Sequence, residues 1–458
     1  MSKTFFLVAI SLNLLAYPLQ DQFIIKVFLC ILSYGFLFFN EYKTLKITCV
    51  GGFIFGSFIF FCIRPLYILI ENDFLLIERA FFIFDSKELV SNALWWSNFG
   101  LIFFKLGSLI KFKNLGKKSA SFFNLKVSND FNSTKATKYL IILITTITLP
   151  IISYFTQFSR LVYQSSLGAY FYQFPIVLQS LNVFCCLIFI REYGLKRTFN
   201  NLTFASISFF YVLYFAFQMR EISQFRSFYL TGVTVLIVAT IHFFSNQKVN
   251  YLWLVIPFII AQPFFRILGA VRWKLNEDLN FQTFFFNNNI TSNFLSSYWD
   301  FYSSKGDINI FDTFVAAFNA KPQWYPYFES WLYIPLHFIP RIIWEGKPIG
   351  GFLQDLSFAN GLPLSPGLIG FFLLDGGLIW MLFSMTLLGI ILSFIDDYIN
   401  SLNDNLLKSY IYGTFVVACV TLSRMALYQT FYEIIYGFIP VILISLIVFP
   451  YKRKKVLP

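Results

Sequence analysis

Gly367–Phe394 reads GLIGFFLLDGGLIWMLFSMTLLGIILSF, and Asp375 is its only formal charge. A helix on a soluble domain keeps a polar face, and this stretch has none. At about 1.5 Å per residue it is long enough to cross a hydrocarbon core about 30 Å thick. The reading that decides the fold is therefore a bilayer, not a soluble core.

The same pattern recurs along the chain. Apolar runs cover Phe5–Pro18, Phe23–Phe39, Ile47–Ile70, Leu94–Ile110, Ile141–Phe158 and Ile176–Ile190. They continue over Leu202–Met219, Tyr229–Phe244, Tyr251–Gly269, Tyr410–Met425 and Phe431–Phe449. With Gly367–Phe394 they make about twelve span candidates. The chain is 57% hydrophobic and 13% charged, with a mean hydropathy of +0.66. The expected fold is an all-α polytopic membrane protein of roughly twelve transmembrane helices with one large outer loop. The expected divisions are an N-terminal bundle over 1–269, an extracytoplasmic loop over 270–365, and C-terminal spans with a basic tail over 366–458.

The net charge of +12 is distributed by side. Lys113, Lys117, Lys118, Lys126 and Lys135 crowd one linker, and Lys452, Arg453, Lys454 and Lys455 end the chain. Basic turns also follow at Lys43, Lys46, Arg191, Lys196, Arg197, Lys248 and Lys408. Cytoplasmic loops collect Lys and Arg, so both termini and these turns are expected inside and Ala270–Ser365 outside. The six cysteines, Cys30, Cys49, Cys62, Cys185, Cys186 and Cys419, lie in apolar runs without metal-ligand spacing and read as small buried hydrophobes. No phosphate loop, metal-binding cluster or Asp-any-Asp motif is present in the sequence, so neither ATP drive nor a cofactor is expected.

The outer loop has its own texture. Trp273, Trp299, Trp324, Tyr325, Tyr327 and Trp331 make it aromatic, and Asp278, Asp300, Asp307 and Asp312 are scattered through it. Aromatic faces stack on sugar rings, and carboxylates accept hydroxyl donors. An interfacial aromatic belt is the alternative reading.

A second set of charges stands at the outer ends of spans, where positive-inside bias depletes them. It comprises Arg64, Arg160, Arg220, Arg226, Arg266, Arg272, Arg341 and Arg424. One reading is snorkelling, or pairing with Glu221, Glu277 or Glu433. The other is recognition of an anionic substrate, because arginine keeps its charge and offers phosphate a planar fork of donors.

Between these lies a segment too broken for a span and too apolar for a free loop. It runs Pro340-Arg341-Ile342-Ile343-Trp344-Glu345-Gly346-Lys347-Pro348, followed by Ser365-Pro366-Gly367-Leu368-Ile369-Gly370. It resembles the outer-loop signature of the Wzy-type oligosaccharide repeat-unit polymerases of bacterial O-antigen and capsule. Gln224-Phe225-Arg226-Ser227 and Phe265-Arg266-Ile267-Leu268 fit the family more loosely. The resemblance implies a GT-C-like membrane glycosyltransferase of the bacterial inner membrane. Such an enzyme joins undecaprenyl-pyrophosphate-linked repeat units without metal or cofactor. Its implied partners are the lipid-linked oligosaccharide, membrane lipids, and a chain-length regulator and flippase of the same pathway, with no nucleic acid. Catalytic roles fall on His337, Glu329 and Arg341. Pyrophosphate or glycan contacts fall on Arg64, Arg220, Arg226, Arg266, Arg272, Lys347, Arg424, Trp344 and Tyr327. The family pattern places an acid just after Gly370, where this chain has Phe371; Asp375 and Glu329 are the candidates to stand in for it. An O-antigen ligase and a lipid-linked oligosaccharide flippase are the alternative functions.

Overall fold

The computed structural model describes residues 2–19, 22–42, 47–72, 74, 86–110, 144, 174–196, 202–203, 205–210, 212, 227–245, 249–250, 310–320, 327–336, 339, 365–402 and 405–448. Among these, all regular structure is helical. The helices are α1 (Ser2–Ala16), α2 (Phe23–Tyr42), α3 (Cys49–Glu71), α4 (Ser86–Ser108), α5 (Phe174–Lys196) and α6 (Ser227–Phe244). They continue as α7 (Ile310–Asn319), α8 (Glu329–Leu336), α9 (Gly367–Ser401), α10 (Asn405–Leu422) and α11 (Leu427–Val448). Four are long and apolar enough to cross a membrane: Phe23–Glu41, Cys49–Glu71, Gly367–Ser401 and Asn405–Leu422. The expected spans Ile141–Phe158 and Tyr251–Gly269, and much of Leu202–Met219, lie outside the described residues.

The chain packs as two compact units. Unit 1 comprises Met1–Lys111, Asn250–Ser393 and Cys419–Thr430; unit 2 comprises Phe112–Val249, Phe394–Ala418 and Phe431–Pro458.

In unit 1, α3 is a largely buried helix and α2 a more exposed one. The apolar window of α3 is 72% buried and that of α2 39%. Ile24, Ile25, Phe28 and Phe39 of α2 point outward. Lipid tails are as apolar as leucine, so close approach and hydrogen bonds must hold such helices together. Both devices are present. A Cβ on Gly56 of α3 would collide with the Val420 carbonyl. A Cβ on Gly107 of α4 would strike the Thr386 backbone, and one on Gly389 of α9 the Phe104 carbonyl. Polar side chains clasp α1, α2 and α4: Trp95 Nε1 donates to Asn13 O at 2.7 Å, Asn98 Nδ2 to Cys30 O at 2.8 Å, and Tyr34 OH to Ser97 Oγ at 3.0 Å. Lys105 of α4 pairs with Glu41 of α2.

Thr48 starts α3 by accepting from Gly51 N at 2.9 Å, and Asn72 ends it in the left-handed region at φ 53°. All six cysteines are free and buried.

In unit 2, α5 packs on α6. His242 of α6 stacks on Tyr412 at 4.0 Å, and its Nδ1 lies 2.8 Å from Ser409 Oγ. This is a structural histidine.

Candidate functional site

The site builds outward from a break in α9. Gly376 is extended, at φ −169°, and Gly377 turns left-handed at φ 76°, so the helix is interrupted just after Asp375. A Cβ on Gly376 would come 2.6 Å from Trp380 Cγ and 2.8 Å from Tyr327 Cδ1, so the position accepts only glycine.

The short helix α8 docks onto this break. Tyr327 N donates to Asp375 O at 2.8 Å, and Ser330 N donates to Asp375 Oδ2 at 3.0 Å. Asp375 thus caps the first turn of α8, whose leading N–H groups lack helical partners. The chain enters α8 under strain: Tyr327 has φ 28° and Phe328 φ 63°, which bulky side chains rarely adopt. Such strain persists where surrounding contacts impose it, commonly at functional sites.

Aromatic rings pack on one another where α8 meets the α9 break. Trp380 meets Phe328 edge-on at 4.3 Å and Tyr327 at 6.0 Å. Trp331 stacks on Phe372 at 5.6 Å. Tyr327 is 53% and Phe328 49% exposed, so this shelf has an open side. The Trp380 indole N–H is buried without an acceptor among the described residues.

Asp375 and Glu329 differ in what they can do. Asp375 is 4% exposed and commits an oxygen to Ser330. Glu329 is partly exposed. Burial pushes its carboxyl above the ordinary glutamate range.

The Ser365-Pro366-Gly367 element makes a second junction. Ser365 Oγ donates to Arg424 O at 2.8 Å, and Leu368 N to Ser423 O at 3.3 Å. Gly367 is left-handed at φ 68°, and a Cβ there would lie 2.8 Å from Ser423 O. On Gly370 it would lie 2.5 Å from Pro366 Cβ. Gly367 lets the backbones approach and helps hold the start of α9 on the turn that carries Arg424, while Gly370 leaves room for the Pro366 and Phe314 side chains. α8 reaches the helix after this turn, with Tyr333 5.3 Å from Tyr428.

The two described arginines of the expected set have different fates. Arg64 is wholly buried, with Nε 3.2 Å and 3.0 Å from the two Asp312 oxygens. It also lies 5.5 Å from the Tyr67 ring centroid. Asp312 is equally buried, so this acid of the loop is engaged by Arg64 and closed to glycan. Arg424 has no ion-pair or hydrogen-bond partner for its guanidinium among the described residues. Glu433, weighed as an arginine partner, likewise has none among them. Of the remaining expected site residues, Glu329 and Tyr327 meet at the α9 break. His337, Arg341, Trp344, Lys347, Arg220, Arg226, Arg266 and Arg272 lie outside the described residues.

No family model, curated protein or solved structure matches the chain.

Phe328, Trp380 and Tyr428 are not site residues by their sequence context, and Asp312, read there as one of the loop's glycan-facing acids, is instead the buried partner of Arg64. A charge inside the apolar run Ile310–Asn319 was the available signal for Asp312.

Proposed function

We propose that this chain polymerises undecaprenyl-pyrophosphate-linked oligosaccharide repeat units at the outer face of the bacterial inner membrane. In this reading it is a metal-independent, GT-C-like glycosyltransferase of about twelve spans with both termini cytoplasmic. A hydroxyl of the incoming unit attacks the anomeric carbon of the growing chain. The bond from that carbon to the pyrophosphate oxygen breaks, undecaprenyl pyrophosphate leaves, and the hydroxyl proton passes to a base.

The observation that carries the reading is Arg424. Among the described residues its guanidinium has no partner, and it stands on a turn held by the Ser365-Pro366-Gly367 signature, while Arg64 is spent on Asp312. Arg424 supplies donors to the departing pyrophosphate. Glu329 takes the hydroxyl proton, with His337 as the other candidate. Tyr327, Phe328 and Trp331 offer the glycan flat apolar faces beside carboxylates. Arg341, Lys347, Trp344, Arg220, Arg226, Arg266 and Arg272 complete the anionic site in this proposal.

The test is Arg424→Lys in cells lacking the native copy. Lysine keeps the charge but not the fork. The expected cost is about 3 kcal/mol of transition-state stabilisation, on the order of a hundredfold in rate. Surface glycan should then carry single repeat units in place of ladders, at normal protein level. Loss of all surface glycan would point to a ligase or flippase. An unchanged ladder would remove Arg424 from the site.

A further inference from the structure

α9 is broken without a proline in it. Sharp breaks arise at proline or at glycine pairs. Gly376 and Gly377 permit a break but do not impose one, because glycine also takes helical angles. The run Gly367–Phe394 is apolar enough to form one continuous span. In a continuous helix the Asp375 carbonyl accepts from Ile379 N, four residues on. Here it accepts from Tyr327 N at 2.8 Å, and Ser330 N bonds the Asp375 carboxylate at 3.0 Å. Trp331 bridges the break. Its ring stacks on Phe372 ahead of the break, and its Nε1 donates to Ser384 Oγ at 3.3 Å beyond it. Lipid offers a freed backbone group no partner, so these contacts from α8 and its approach are what sustain the break.

The docked arrangement also carries costs. Tyr327 and Phe328 hold positive φ angles, which bulky side chains resist. The Trp380 indole N–H, packed beneath Phe328, is buried without an acceptor among the described residues. Leu332 of α8 stands exposed, as do Tyr327 and Phe328, so the outer side of α8 is not pinned. The bonds to Asp375 and the Trp331 contacts favour docking, while strained dihedrals and an unmet donor oppose it. Opposed terms of this kind bring two packings of one sequence close in free energy.

We infer that α8 is a latch on a two-state hinge in α9. Docked, it holds the break at Gly376 and Gly377. Released, it lets α9 close into one helix, with the Asp375 carbonyl returned to Ile379 N. Release takes Tyr327 and Glu329 away from Asp375, so the latch opens and closes the aromatic shelf. The device lies within unit 1 and does not depend on the polymerase reading.

The test uses the full chain in lipid nanodiscs. Nitroxide labels on Leu332→Cys and Ile379→Cys, both exposed positions, read the separation of α8 from α9 by pulsed electron paramagnetic resonance; the six native cysteines are buried. Hydrogen exchange in the α9 peptide that spans the break, read by mass spectrometry, reports the hinge itself. Gly376→Ala places a Cβ 2.8 Å from Tyr327 Cδ1, and Asp375→Ala removes the carboxylate that holds Ser330. Each should move the labels to a longer distance, the same in both variants. Each should also slow exchange across the break several-fold, because the α9 amides gain helical partners. A longer distance with faster exchange would mean that α9 is broken of itself and α8 only covers it, and would overturn the inference. So would an unchanged distance in Asp375→Ala, which decides alone if Gly376→Ala fails to fold.

Discussion

Ser330 donates its backbone N–H to the Asp375 carboxylate at 3.0 Å, across 45 residues of chain. That bond ties the first turn of α8 to the break in α9 and sets Glu329 beside it. It makes Asp375 the cap of α8; under the proposed function, Asp375 is also a candidate stand-in for the acid expected after Gly370.

Asp375→Asn keeps an oxygen acceptor for Ser330, so it should retain stability and a glycan ladder. Asp375→Ala loses the cap and should cost about 1 kcal/mol, read as a lower unfolding temperature in detergent. Loss of the ladder in Asp375→Asn at normal protein level would instead make Asp375 a reacting acid.

Under the proposed function, with Glu329 as the base, Glu329→Gln should reduce polymer formation on the order of a hundredfold. Its stability should move the other way. Burial raises the folded-state pKa of Glu329, so between the unfolded and folded values the folded chain holds more protons. Stability therefore falls as pH rises through that window, and above it the charged form carries a fixed penalty. Thermal unfolding against pH should show this fall in the native chain and a flatter curve in Glu329→Gln. Identical curves would mean that Glu329 is not desolvated.

The Arg64–Asp312 pair predicts a two-step pattern. Arg64→Met or Asp312→Leu alone leaves a buried charge without its partner and should cost about 3–5 kcal/mol. The double variant removes both charges and should recover most of that loss. If Arg64 instead binds substrate, the double variant would be stable but would make no ladder.

Topology can be read with a membrane-impermeant thiol reagent, because all six native cysteines are buried. Lys305→Cys should label from outside intact cells, and Lys117→Cys only after the membrane is opened. The reverse would invert the orientation drawn from the basic turns.

The sequence by itself determined the helical, membrane-spanning character of this chain. Runs such as Gly367–Phe394 can satisfy their backbone in lipid only as helices, and that constraint is local. The described helices other than α7 and α8 fall on the apolar runs for this reason. Periodicity and composition could not assign the charges, because a carboxylate or guanidinium takes its role from its partner. Arg64 and Arg424 look alike in sequence, each set in apolar surroundings. Only tertiary packing brings Asp312, 248 residues away, onto Arg64 and leaves Arg424 unpaired on its turn among the described residues. Asp375 and Glu329 were equal candidates as isolated acids. A hydrogen bond across the α9 break made Asp375 a cap for α8, and hydrogen bonding and desolvation are properties of the folded surroundings, not of the local sequence.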